Sequence, residues 1–161
     1  MSARAGARAG PPAGVPTYLD RIVPSVLRRL DERRRLVPQA EIEAVAGPGP
    51  RPSFVAALGA PGVSLIAEVK RASPSKGPIR PGLDAGVLAA VYERAGAGAV
   101  SVVTEQDHFG GSLYDLRAGV HATALPILRK DFIVDPYQVH EARACGASAV
   151  LLIAALLSDG E

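Results

Sequence analysis

The chain has one cysteine, no tryptophan and few aromatics, and each scarcity removes a class of function. A single thiol, Cys145, cannot close an internal disulfide or build a cysteine metal cluster. Its place at the end of a helical pattern, just before Gly146, suits a small buried side chain. One cysteine also fits a reducing compartment, and the protein is expected in the cytoplasm. Aromatics at 4% offer no base-stacking platform. Eighteen basic residues against 16 acidic ones leave a net charge of +2, too weak a bias to argue for a nucleic-acid partner. No run is apolar long enough to cross a bilayer, so no membrane partner is expected. His108, His121 and His140 lack zinc-like spacing, and no metal site is expected.

What is present reads as globular, with 48% hydrophobic and 21% charged residues. The 161 residues suit one compact domain. Residues 1–16 repeat alanine, glycine and arginine without the leucine-rich core of a secretory signal, and are expected to be a disordered tail. Residues 17–62 read as a helical extension. A helix over 17–35 starts at Thr17 or Asp20 and carries an apolar stripe of Ile22, Val26, Leu27 and Leu30. Pro24 is tolerated only in a first turn. Arg33, Arg34 and Arg35 read as a solvated face. A short helix over 39–45, a turn at 47–52 and a helical turn or two at 53–58 follow.

From residue 63 to 161 the period changes. Apolar strands over 64–69, 99–103, 125–128 and 149–153 alternate with helices over 84–95, 112–119 and 136–144. Their near-continuous apolar content predicts a parallel sheet covered on both faces, and the intervals are long enough for crossover helices. Gly96 and Gly146 each close a helix just before a strand, where a left-handed cap is needed. The repetition favours a βα unit used several times. Segment order alone allows either an open doubly wound sheet or part of a barrel.

The polar residues separate the two, because barrel enzymes gather their chemistry at the carboxyl ends of the strands. The first strand ends in Glu68, Val69, Lys70 and Arg71, followed by a loop rich in serine and glycine. Alternation puts Glu68 and Lys70 on one face, where opposite charges on an apolar strand are costly unless paired or functional. A structural ion pair is the ordinary explanation. The loop after it could hold phosphate through backbone donors, a weak signal alone. The second strand runs into Thr104, Glu105, Gln106, Asp107, His108 and Phe109. Ser112 and Asp115 then form a helix cap. Lys130, after the third strand, stands where a general acid would stand; alone it would be a solvated lysine. Three successive strands ending in charge favour a shared site.

These blocks resemble the indole-3-glycerol phosphate synthase family over residues 17–161. They are the segment from Leu65 through Glu68, Lys70 and Ser73 to Gly77; the segment from Ser101 to Glu105; Phe109, Gly110, Gly111, Ser112 and Leu113; and the segment Leu128, Arg129, Lys130, Asp131, Phe132, Ile133, Val134 and Asp135, followed by Tyr137, Gln138 and Val139. The resemblance implies an α/β fold of the (β/α)8 TIM-barrel class, with about four βα units in this chain. It implies a carboxy-lyase that closes the indole ring of 1-(2-carboxyphenylamino)-1-deoxyribulose 5-phosphate, a small phosphorylated substrate, with loss of carbon dioxide and water. It implies no metal and no organic cofactor. Lys130 would be the main general acid. Lys70 would neutralise the substrate carboxylate or phosphate and share in dehydration. Glu68 would bind a hydroxyl and orient the lysines. Ser73 would contact the phosphate or carboxylate region, and Phe109 and Phe132 would pack on the anthranilate ring. The helical extension would help to cover the site.

A complete barrel needs roughly 250 residues. The glutamate base, asparagine, arginine and later phosphate loops that the family uses have no counterpart here. The expectation is therefore a truncated or split half-barrel whose strand edges are covered by self-association or by a separate second half. Ala85 and Gly86 stand where the family commonly has proline, and are expected to weaken that helix start. The rival readings are an isomerase of phosphoribosylanthranilate on a similar barrel, an inactive half-barrel serving as an assembly module, and, last, binding of a phosphate-rich polymer.

Overall fold

In the computed structural model, residues 17–46 and 49–157 are described. The tail expected over 1–16, part of the expected turn at 47–52, and residues 158–161 lie outside the described residues. Thr17 starts helix α1 (Tyr18–Leu36) with a reciprocal cap. Its hydroxyl accepts the Asp20 N–H at 3.2 Å, and the Asp20 carboxylate accepts the Thr17 N–H at 2.7 Å, satisfying two donors that a helix start leaves orphaned. Starting at Thr17 puts Pro24 in the second turn, not the first. The missing N–H costs one helical hydrogen bond there, and Pro24 faces solvent.

Ile22, Val26 and Leu30 are buried as the stripe requires, but Leu27 is 47% exposed. Ser25 occupies the buried face beside Val26 and donates its hydroxyl to the Ile22 carbonyl at 2.7 Å. The arginine run is also not a free face. Arg33 donates to Glu141 and Arg34 to Asp135, each at 2.6 Å, because acids of a later helix lie opposite them; Arg35 alone of the three is exposed. Helices α2 (Gln39–Val45) and α3 (Phe54–Leu58) follow, the second capped by Ser53.

The chain then builds the sheet. Strand β1 (Ile66–Val69) leads into a two-residue hairpin, β2 (Ala72–Ser73) with β3 (Gly77–Pro78), and helix α4 (Ala85–Arg94). Strand β4 (Ala99–Val103), helix α5 (Leu113–Ala122), strand β5 (Ile127–Lys130), helix α6 (Pro136–Ala144), strand β6 (Ala149–Val150) and a 3-10 turn (Ala154–Leu156) complete it. The strands lie in the order β1-β4-β5-β6, all parallel. Each βα repeat therefore adds its strand beside the last, the pattern of a barrel wall and not of a doubly wound sheet, where the order reverses. Four such strands are part of a TIM barrel.

Alternation sorts the side chains. Val69, Val100, Val102 and Ile127 face the helices, packing with Ala89, Leu116, Ala142 and Cys145. Gly96 and Gly146 take positive φ, 85° and 92°, and close α4 and α6 as expected. The start of α4 carries a side-chain cap although it lacks proline. Asp84 caps it, accepting the Val87 N–H at 2.9 Å. Gly86 lies under α5, where an added Cβ would stand 3.2 Å from the Ala118 carbonyl oxygen, so its smallness lets the two helices approach.

One charged residue also faces the helix layer. Arg129 of β5 is 1% exposed. It donates to Asp131 at 2.9 Å, to Glu141 at 3.2 Å and to the Gln138 carbonyl at 2.7 Å. Glu141 in turn receives Arg33, so one network ties α1, β5 and α6. Tyr137 adds a second tie, donating its buried hydroxyl to the Val37 carbonyl at 2.9 Å. Removing one partner of a buried ion pair strands the other charge, at about 3–5 kcal/mol, whereas an apolar pair in its place is often neutral. Arg129→Met should thus lower unfolding stability by about 3–5 kcal/mol in urea titration, and adding Asp131→Asn should recover part of it, because Glu141 keeps Arg33 while Asp131 is the carboxylate left without a cation. Equal losses in the single and double variants would show that the stranded charge is not the cause.

Candidate active site

The opposite face of the same strands carries the other charges. Val69 and Arg129 face the helices, so Glu68 and Lys130, one position away, face what would be the barrel interior. Lys130 is the last residue of β5 itself, two positions deeper in the sheet than the 125–128 strand predicts. Its Nζ donates to Glu68 Oε2 at 2.5 Å. Lys70, just past β1, donates to the other oxygen, Oε1. Glu68 and Lys130 reach each other across β4, where Ser101 stands in register with Glu68 and Leu128. Strands two apart are separated by roughly 9–10 Å in a flat sheet. With the small Ser101 on the middle strand, the long side chains meet over it.

Burial raises the Glu68 carboxyl's proton affinity, but hydrogen bonds and charge from Lys130 and Lys70 outweigh it and hold the group below its ordinary value. The carboxylate is therefore ionised at neutral pH. Two ammonium groups around one carboxylate leave the cluster net positive, suited to an anionic ligand. Tyr92 donates to the Glu68 backbone carbonyl at 3.0 Å and pins β1 at this point.

Ser73, Phe109 and Phe132 come together separately, lining a mostly apolar cleft of about 240 Å³. The two rings tilt at 45° with centroids 6.1 Å apart. Tyr18 and Ile22 of α1 close the far side, so the helical extension does cover this cleft. The Ser73 hydroxyl accepts the Lys76 N–H at 3.3 Å and shapes the hairpin turn. A larger cavity, about 510 Å³, lies at the opposite end of the sheet beside Arg51, Arg117 and Ser148. It contains none of the clustered charges, and chemistry rather than size identifies the site.

Several supporting residues are not singled out by sequence patterns. Arg71 is not a free charge at the strand end: it forks onto Asp115 and donates to the Leu83 carbonyl at 2.8 Å, anchoring the hairpin to α5. Glu105, 5% exposed, accepts the N–H groups of Asp107, His108 and Phe109. His108 leans on the same carboxylate at 3.2 Å. Arg28 and Arg29 of α1 reach Asp107 at 2.9 and 2.8 Å. Strand alternation through 127–131 is the signal that would have turned Asp131 away from Lys130.

Among the described residues no helix is long and apolar enough to cross a membrane. The family model for indole-3-glycerol phosphate synthase matches residues 19–161. The indole-3-glycerol phosphate synthase of Mycolicibacterium gilvum is 52% identical over 147 residues, covering 91% of this chain and 54% of that protein. That of Micrococcus luteus is 50% identical over 151 residues, covering 90% and 56%, and that of Saccharopolyspora erythraea is 52% identical over 145, covering 89% and 54%. The chain thus spans about half the length of the curated relatives it matches. With the parallel βα sheet and the lysine–glutamate cluster at its carboxyl end, these matches establish that the chain belongs to the indole-3-glycerol phosphate synthase family.

Proposed function

We propose that this protein serves the reaction its relatives are named for, closing the indole ring of 1-(2-carboxyphenylamino)-1-deoxyribulose 5-phosphate in tryptophan biosynthesis, in the cytoplasm. The observation that carries the reading is the clamp of Lys70 and Lys130 on the two oxygens of Glu68. Ring closure attacks the ketone carbon and pushes negative charge onto its oxygen. An ammonium already oriented there stabilises that charge and supplies the proton. Lys130 takes this role, held by Glu68 rather than left to wander. Lys70, on the other oxygen, neutralises a substrate anion and takes part in the later loss of water. Glu68 spaces the two lysines and accepts a substrate hydroxyl. Phe109 and Phe132 confine the aromatic ring so that its carboxylate-bearing carbon stays near the ketone. Carbon dioxide leaves with the electrons of its bond returning to the ring. Ser73, on the cleft rim, contacts the phosphate or carboxylate end.

Two measurements test this. Incubated with the substrate, the protein should yield indole-3-glycerol phosphate by chromatography, and Lys130→Ala should cut the rate at least about 100-fold while substrate still binds. Turnover undiminished in Lys130→Ala would remove the lysine from the chemistry; absence of both binding and product in the parent protein would end the proposal. The second is the Glu68 titration, followed by carbon NMR of its carboxyl. A depressed carboxyl contributes stability that is fully present above its unfolded-state value and is lost as pH falls through its folded-state value. Glu68 should therefore titrate below an ordinary glutamate, and Lys130→Met should move the titration upward. An unmoved titration would mean that Lys130 does not hold this carboxylate.

A further inference from the structure

We propose that Glu105 and Asp131 are positioning residues: each, buried at the end of its strand, fixes one phenylalanine of the aromatic cleft by accepting that residue's own backbone N–H. The Phe109 N–H reaches Glu105 Oε2 at 3.0 Å, and the Phe132 N–H reaches Asp131 Oδ1 at 2.8 Å. Carboxylates are rarely this buried without partners, and both are fully occupied. Glu105 gathers three successive loop amides and His108. Asp131 divides its oxygens between scaffold and cleft. Oδ2 accepts the Thr104 hydroxyl at 2.5 Å and Arg129 at 2.9 Å, leaving Oδ1 for Phe132. Thr104 precedes Glu105 in the chain, so its bond to Asp131 joins the two carboxylates into one frame and sets the ring spacing.

The frame extends to both neighbours of the cleft. The Phe109 carbonyl accepts the Ala72 N–H at 3.2 Å, bringing in the Ser73 hairpin. The Phe132 carbonyl accepts Gln138 Nε2 at 3.0 Å. A phenylalanine on a loop otherwise loses its orientation through backbone motion, and charge-assisted bonds to the backbone N–H oppose that motion more strongly than neutral ones. The positioning claim stands on this geometry; its consequence for ligand binding rests on the function proposed above.

The chain has only three phenylalanines, so 4-fluorophenylalanine labelling gives three fluorine resonances, from Phe54, Phe109 and Phe132, assigned by single substitutions to leucine. Glu105→Gln should shift or broaden the Phe109 line by more than its width and leave Phe54 in place. Asp131→Asn should do the same to Phe132. A general loss of packing would move Phe54 as well. If the Gln variant does not fold, Glu105→Asp keeps the charge and withdraws it by one methylene, and the Phe109 line must still move. Phe109 and Phe132 lines at their parent positions in folded variants overturn the proposal. Titration with 2-aminobenzoate separates the two readings. It should move both cleft lines saturably in the parent protein, with half-saturation raised about tenfold in the variants. A parent protein that never responds to it overturns the ring-binding reading alone, because the variant line shifts are measured without ligand.

Discussion

A guanidinium in the helix layer governs much of this structure. Arg129 lies where its neighbours on the same face are valine and isoleucine, and burying a charge there is tolerable only if every donor is used. Its donors go to Thr104, Asp131, Gln138 and Glu141. These partners belong to the end of β4, the loop after β5 and helix α6, so satisfying one residue fixes three pieces of the fold. Glu141 passes the constraint on to Arg33 of α1. The helix over the cleft is thereby referenced to the strand that carries Lys130.

The two faces of β5 divide labour. Arg129 and Asp131 are turned to the helices and build the frame, and Lys130 between them is turned to the other side and meets Glu68. The lysine clamp is less buried than the arginine network, with side chains between a quarter and about two-fifths exposed. Solvent screening makes its contribution to stability small. Its importance is geometric, since Glu68 holds two ammonium groups at a set separation with net positive charge. The fully buried ion pairs lie on the helix side of the sheet and the part-exposed ones on the other side.

Much of the architecture was legible from the chain alone. Strand β4 and helix α6 lie where near-continuous apolar content and Gly146 put them, and Ser112 caps the helix it precedes. Glu68, Lys70 and Lys130 were legible as a group because successive strands ended in charge. What escaped depended on partners distant in sequence. Arg33 and Arg34 read as solvated because nothing nearby shows Glu141 and Asp135, about a hundred residues on. Leu27 read as buried because a periodic stripe does not say how wide the surface beneath it is. Pro24 was referred to a first turn because the choice between Thr17 and Asp20 as cap is settled by a reciprocal bond that single-residue preferences do not contain. Glu105 and Asp131 resemble solvated loop acids until their burial is known.

The opposed orientations of Arg129 and Lys130 have a consequence for how the chain finds its register. In a strand, a slip of one residue exchanges the faces of every side chain. Slipping β5 by one would put the Lys130 ammonium near Glu141 without the fork that lets Arg129 reach Thr104, Asp131 and Gln138 as well, and would expose Arg129 on the inner side. An error that destroyed the lysine–glutamate pairing would also destroy the burial of the guanidinium. A misregistered chain would therefore be the less stable one. Placing the scaffold's most demanding charge beside Lys130 in sequence ties the register of this segment to the burial of one guanidinium.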